Sequence, residues 1–246
     1  MDTGIEEAWK RLSLTTEEDT VVECEDEIVD ECSEQITLCL WGKLHTEGYF
    51  NMNVMKTVFK NVWKPSRGVI ICDLDKNLFA FQFFSPADSD YILNKGPLAF
   101  DGNTLLLRKI TGYEQSSKVQ FTHARFWVKA IDVPPIKQTS TFVKILGYNK
   151  SNLLCAADKS INFQVDVDVT KLLRRGMKVM MKGKPIRISF KYVKLPEFCY
   201  GCGRLVHILS IYEEAKEVDE DSNLPYGDWL HGSPIKPTRR NAEARK

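Results

Sequence analysis

Between residues 35 and 110 the apolar residues switch repeatedly between a period of two and a period near four, and this alternation restricts the possible folds more than any other feature. Residues 36–42 read as a strand that Gly42 and a loop through Gly48 bring to an end. Residues 51–63 read as a helix, with Asn51 placed to cap it and Val54, Val58, Phe59 and Val62 on one face. Residues 68–73 and 78–84 read as two strands joined by a polar turn. Ser85 and Pro86 then suit the cap and first position of a second helix that ends near Gly96 and Pro97. A last strand runs over 103–110.

The order is therefore β-α-β-β-α-β, the split arrangement of the ferredoxin-like α+β fold, which is also the architecture of RNA-recognition modules. Phe79, Phe81 and Phe83 share one face of their strand. Rings on alternate positions are more often core than a stacking platform, so they are not assigned as contacts. After a linker at 111–117, residues 124–131 read as a strand, 142–146 as the start of a helix and 162–169 as a half-exposed strand. Residues 177–182 and 186–193 then pair across Gly183, Lys184 and Pro185. That pairing puts Lys178 and Lys182 on one face of the first strand, and Arg187 and Lys191 on one face of the second.

Charge is distributed unevenly. Residues 1–36 hold thirteen acids and two bases, a net of −11, so a chain of net +1 carries +12 in the remainder. Residues 169–196 contain nine bases and no acid. A basic body is the electrostatic footprint of a polyanion binder, whereas ordinary surfaces mix signs. Phosphate contact needs only cations at strand spacing on an exposed face, which makes Lys178, Lys182, Arg187 and Lys191 candidates.

Cys199 and Cys202, with Gly201 between them and Gly203 after them, are spaced like metal ligands, and His207 follows five positions on. A complete Cys-x2-Cys-x4-His-x4-Cys zinc knuckle would place its last thiol at position 212, where this chain has Tyr212. The motif is degenerate, and Glu213, Glu214 or water is left to close a zinc site. A redox pair is the competing reading of the two thiols, but it requires a helix N-terminus after a strand. In a metal loop, Tyr200 is placed to stack on an unpaired base and Arg204 to hold phosphate or a base edge.

The motifs together resemble a known family. Residues 38–110, with Trp63-Lys64-Pro65, Phe81-Gln82-Phe83-Phe84 and Gly96-Pro97, resemble the plant domain of unknown function 4283. Phe126-Trp127-Val128, the run 168–176 and residues 192–207 resemble the segment that follows that domain and ends in a CCHC-type zinc knuckle. Residues 225–230 resemble a motif found after the knuckle. The resemblance implies zinc ligands at Cys199, Cys202 and His207, with Tyr212 in the last position. It further implies a gag-like, nucleic-acid-binding product of plant LINE-type retrotransposons, or a host gene derived from one. Val206 and Leu98 depart from the family's usual glycine and tryptophan.

The expected organisation is an acidic, partly disordered leader at 1–34, a ferredoxin-like domain at 35–111, a basic β-rich extension at 118–196, a degenerate knuckle at 197–214 and a disordered tail at 215–246. The expected function is binding of single-stranded RNA or DNA with low sequence specificity. The alternative is a non-catalytic protein-interaction module or an inactive retroelement relic. No nucleophile elbow, phosphate loop or His-Glu-x-x-His run is present, so neither an enzyme nor a small-molecule substrate is expected. Asp166 and Asp168 are read as the wet side of their strand. No secretory signal or apolar run of membrane length occurs, so an intracellular protein of nucleus or cytoplasm is expected.

Overall fold

In a computed structural model of the protein, residues 35–46, 48–146, 153–155, 160–205 and 224–234 are described. All of them lie in the second of two units into which the chain divides, 35–246. The helix expected over 5–12 lies outside them. Among the described residues no helix is long and apolar enough to cross a membrane.

The first half builds β1 (Cys39–His45), α1 (Met52–Trp63), β2 (Val69–Asp75), β3 (Leu78–Phe83), α2 (Pro86–Lys95), β4 (Leu98–Phe100) and β5 (Asn103–Lys109). Its sheet has the order β2-β3-β1-β5-β4, with β1 antiparallel to both β3 and β5. Two helices with β1 and β3 central and β2 and β5 outside them make the ferredoxin-like fold, to which β4 adds a short hairpin strand. The Asn51 side chain accepts from the Val54 N–H and starts α1. The helix then lays Met55, Phe59 and Trp63 on Leu40, Leu44, Phe79, Phe81 and Phe83. Phe59 stacks on Trp63 at 4.8 Å, and Trp63 meets Phe81 at 5.1 Å. The three strand phenylalanines are 0% exposed and belong to the core, as their period implied.

Gly42 does not end β1. The strand continues through it to His45, because the missing Cβ leaves room for the Phe81 ring, 2.5 Å from where a Cβ would sit. The strand also begins later than expected, since residues 35–37 are helical.

The second half builds β6 (His123–Ile131), α3 (Ser140–Ile145), β7 (Leu153–Cys155), β8 (Ser160–Asp168), β9 (Gly176–Met181), β10 (Lys184–Val193) and β11 (His231–Gly232). These strands form a second sheet of order β11-β10-β6-β8-β7, with β9 also paired to β10. Its inner face carries a separate core that includes Phe126, Phe163, Phe190 and Tyr192. Leu106 joins this second core from β5, so the two halves share apolar contact.

The end of α2 rests on the outer face of the second sheet. Gln164 Nε2 donates to the Asn94 carbonyl at 2.5 Å, and the Arg125 guanidinium donates to the Asn94 side chain. Gly96 passes so close to β6 that a Cβ would stand 2.1 Å from the Arg125 carbonyl oxygen. This packing corrects the expectation of a half-exposed strand at 162–169. Residues Ser160, Asn162 and Gln164 are buried on the side that alternation assigns to water.

Candidate nucleic-acid interface and knuckle

The basic hairpin turns earlier than its sequence implied. Met181 pairs with Lys184, so the turn consists of Lys182 and Gly183, with φ of 49° and 76° as the tight I′ hairpin requires. Lys182 therefore sits at the tip and not on a strand face, which corrects its expected place beside Lys178. Pro185 lies within β10, opposite Met180.

The hairpin is an arm. Ser189 pairs with Gly176 on one side and Ile131 on the other, so β9 and β6 flank β10 from opposite sides. β6 covers only the stretch from Ser189 to Val193, and the tip half of β10 extends past it with β9 alone. Met177, Val179, Met181 and Ile186 turn inward against the second core. Lys178 and Arg187 stand directly opposite each other on the outer face, both exposed. Lys191, half-buried, follows on that face beside Lys129.

Some cations elsewhere are held by acids or carbonyls, while others, such as Lys43, Lys60 and Arg67, stand singly exposed. Arg125 makes a two-pronged pair with Asp166 at 2.7 and 2.9 Å. Lys56 pairs with Asp73, Lys109 with Asp90 and Lys171 with Asp168. Arg175 donates to the Pro225 carbonyl at 3.0 Å and lies over the Tyr226 ring. Lys178, Lys182, Lys184 and Arg187 have no such partner among the described residues. A cavity of about 340 Å³ between β5 and β6 also has a cationic rim of Arg108, Lys109 and Arg125, of which Lys109 and Arg125 are paired with acids.

β10 leads through residues 194–198 to the Cys199 turn. The Cys199 N–H donates to the Arg204 carbonyl at 2.9 Å, and the Gly203 N–H donates back to the Cys199 carbonyl at 2.7 Å. This closed turn brings the two thiols within hydrogen-bonding reach. Burial pushes the Cys202 thiol up, and the neighbouring Cys199 adds to the effect. Cys199 is buried, Cys202 half-buried and Arg204 exposed.

Residues 224–234, expected as part of a disordered tail, instead fold back onto this turn. The Tyr226 N–H donates to the Tyr200 carbonyl at 3.2 Å, and the Tyr200 hydroxyl donates to Asp228 Oδ1 at 2.5 Å. That bond, with burial, pushes the Tyr200 phenol up to about 12. The Tyr226 ring lies against Gly203, and β11 pairs with the end of β10. Tyr200 also packs on Phe198 at 4.9 Å. The segment is a clasp, and Tyr226 and Asp228 are functional neighbours that sequence reasoning missed. Their signal was the motif at 225–230, whose partner on the knuckle was not visible.

A zinc site needs deprotonated donors converging on one point. Cys199 and Cys202 fit half of a tetrahedral set. Among the described residues no group of three His, Cys, Asp or Glu side chains converges to hold a metal. His207, Tyr212, Glu213 and Glu214 lie outside them.

Comparison with known proteins agrees with this architecture. Residues 33–117 match the family described as Domain of unknown function (DUF4283), and residues 167–211 match a zinc knuckle. The chain thus carries a DUF4283 domain of ferredoxin-like fold followed by a zinc-knuckle segment. No curated protein matches it. Similar solved structures include the three N-terminal RNA-binding domains of the yeast splicing factor Prp24, at 11% identity and TM-score 0.26, covering 64% of this chain and 66% of that one. The first two RRM domains of yeast poly(U)-binding protein Pub1 align at 14% identity and TM-score 0.24, covering 63% and 98%. The assignment of fold rests on the strand order itself.

Proposed function

We propose that the chain is a non-catalytic binder of single-stranded RNA or DNA, of low sequence specificity, acting inside the cell as a gag-like protein derived from a plant retroelement. The observation that carries the reading is the β9–β10 arm itself, on which Lys178, Lys182, Lys184 and Arg187 stand exposed close together with no acid paired to any of them among the described residues. Lys178 and Arg187 share the outer face of the arm, and unpaired cations so placed attract a phosphate chain, whose binding releases condensed counterions. Lys191 extends the cationic face toward the knuckle, where Arg204 adds an exposed guanidinium. Tyr200 serves by its ring, since its hydroxyl is already bound to Asp228. The matched zinc knuckle supports the same reading.

The residues that would hold zinc are Cys199, Cys202 and His207, with Glu213, Glu214 or water in the fourth place. Zinc would supply a cross-link that fixes the knuckle loop. Native mass spectrometry of wild type and Tyr212→Cys tests this. Zinc in both proteins supports a working site, and zinc in the variant alone refutes it.

The binding test is fluorescence anisotropy with labelled oligo(U) and oligo(dT) across a salt series. The expected outcome is a linear fall of log K with log salt, and loss of binding in a Lys178→Glu, Arg187→Glu double variant. Binding that ignores salt, or survives the double charge reversal, refutes the assignment.

A further inference from the structure

The outer face of β10 is patterned as well as basic. The strand registers fix which side chains share that face, two residues apart along the strand and so about 6.7 Å per step. Nearest the tip, Met180 faces Pro185; the next step is Lys178 facing Arg187. Ser189 follows, flanked by Gly176 and Ile131, and then Lys191 beside Lys129. Trp127 facing Val193 closes the row, near the place where α2 sits on the sheet. The row therefore has cationic steps at Lys178/Arg187 and Lys191/Lys129, separated by the uncharged Ser189 step and flanked by apolar ones, and is bounded at one end by Lys182 in the turn.

Met180 is the exception that a phosphate-only surface does not explain. Its neighbours Met177, Val179 and Met181 turn to the core, yet Met180 is 67% exposed on the outer face, with Pro185 exposed beside it. An apolar pair between cations matches a ligand that alternates charged and apolar groups along its length. An unpaired nucleic-acid strand is such a ligand, with phosphates along its backbone and base faces free of a complement. A duplex keeps its base faces stacked inside and offers a flat ribbon face little beyond phosphates.

We propose that a single strand runs lengthwise along the outer face of β10, with phosphates at Lys178/Arg187 and Lys191 and a base laid over Met180 and Pro185. This rests on the nucleic-acid reading above and adds the contact surface, direction and length of the track. Val193 is buried, so the accessible row runs from Pro185 to Lys191, six residue steps or about 20 Å. A stacked strand rising 3.4 Å per nucleotide fills that length with about 6 nucleotides, and an unstacked one fills it with fewer.

The test uses the full chain and anisotropy with labelled oligo(U) of 4, 8, 12 and 20 nucleotides and a 20-base-pair duplex at fixed salt. Affinity is expected to climb between 4 and 8 nucleotides, the track holding about 6, and then to flatten, with the duplex at least tenfold weaker. Met180→Ala with Pro185→Ala should weaken single-strand binding about tenfold at an unchanged salt slope. Met180→Ala alone, which leaves the strand backbone untouched, should give part of that loss. Arg187→Ala should instead reduce the slope by about one. Tight duplex binding, or apolar variants that bind like wild type, overturns the track while leaving nucleic-acid binding in place. A wild type that binds no oligonucleotide overturns both.

Discussion

Gly203 is where the clasp and the knuckle turn can be measured against each other. Its φ of +73° costs an alanine about 1–2 kcal/mol. Space adds a second cost, because a Cβ would lie 2.3, 2.5 and 2.6 Å from three ring carbons of Tyr226. Relief requires the ring to retreat by about 1 Å, to an ordinary carbon–carbon separation near 3.5 Å. The ring cannot retreat cheaply, since its backbone N–H is bound to Tyr200, Arg175 lies over the ring, and the residue is buried. Overpacking of this kind costs about 1–3 kcal/mol, so Gly203→Ala should lose about 2–5 kcal/mol in total. Tyr226→Ala removes the ring and should lose about 2–4 kcal/mol by itself. In that background Gly203→Ala should cost only the backbone share, about 1–2 kcal/mol, so the two changes should be less than additive by about 1–3 kcal/mol. Urea unfolding of wild type, both single variants and the double variant at equal m-value reads the coupling directly. Additivity to within about 0.5 kcal/mol would refute the clasp.

Three further expectations follow from the same geometry. Asp168 is held near pKa 2 by hydrogen bonds from Thr170 and Lys171, below its ordinary value. A carboxyl depressed on folding contributes stability that is complete above about pH 4 and is lost as pH falls toward 2. Solvent screening keeps that contribution under about 1 kcal/mol, and Asp168→Asn should flatten this part of the acid-unfolding profile. Tyr200, raised to about 12, contributes below pH 10 and loses that contribution as pH rises through 12. Absorbance titration of wild type minus Tyr200→Phe should show one phenol ionising late, and an ordinary midpoint would contradict the bond to Asp228. Chelation by EDTA should move the melting temperature by no more than about 3 °C, because backbone bonds and the clasp hold the knuckle turn. Cooperative unfolding on chelation would show that metal holds it instead.

The elements of the first domain were legible because each buries one face against the other layer, and burial of one face is what periodicity records. Misreadings arose where a distant residue decided the outcome. Gly42 looked like a strand end, but the Phe81 ring requires a glycine within the strand. Residues 162–169 alternate like a surface strand, yet Gln164 is covered by Asn94, 70 positions earlier in the chain. Pro185 drew the end of the expected turn two residues too far, although Lys182-Gly183 already offered a left-handed pair. The basic surface shows the same limit. Composition supplied nine cations, but which of them are available depends on partners such as Asp168, which holds Lys171, and the Pro225 carbonyl, 50 positions from the Arg175 it binds.

The arm leaves one backbone edge open. Along the tip half of β10, the side away from β9 has no strand beside it among the described residues. Such an edge invites a second chain to add a strand, most of all when several copies gather on one polyanion. Here the edge begins with Lys184 and Pro185 and continues to Arg187. Pro185 has no N–H to offer an incoming strand, and Lys184 and Arg187 repel an identical edge by charge. In the proposed function, copies crowded along a nucleic acid would thereby be kept from zipping together through their arms. The proline and cations of the arm would thus also keep the protein dispersed at high local concentration.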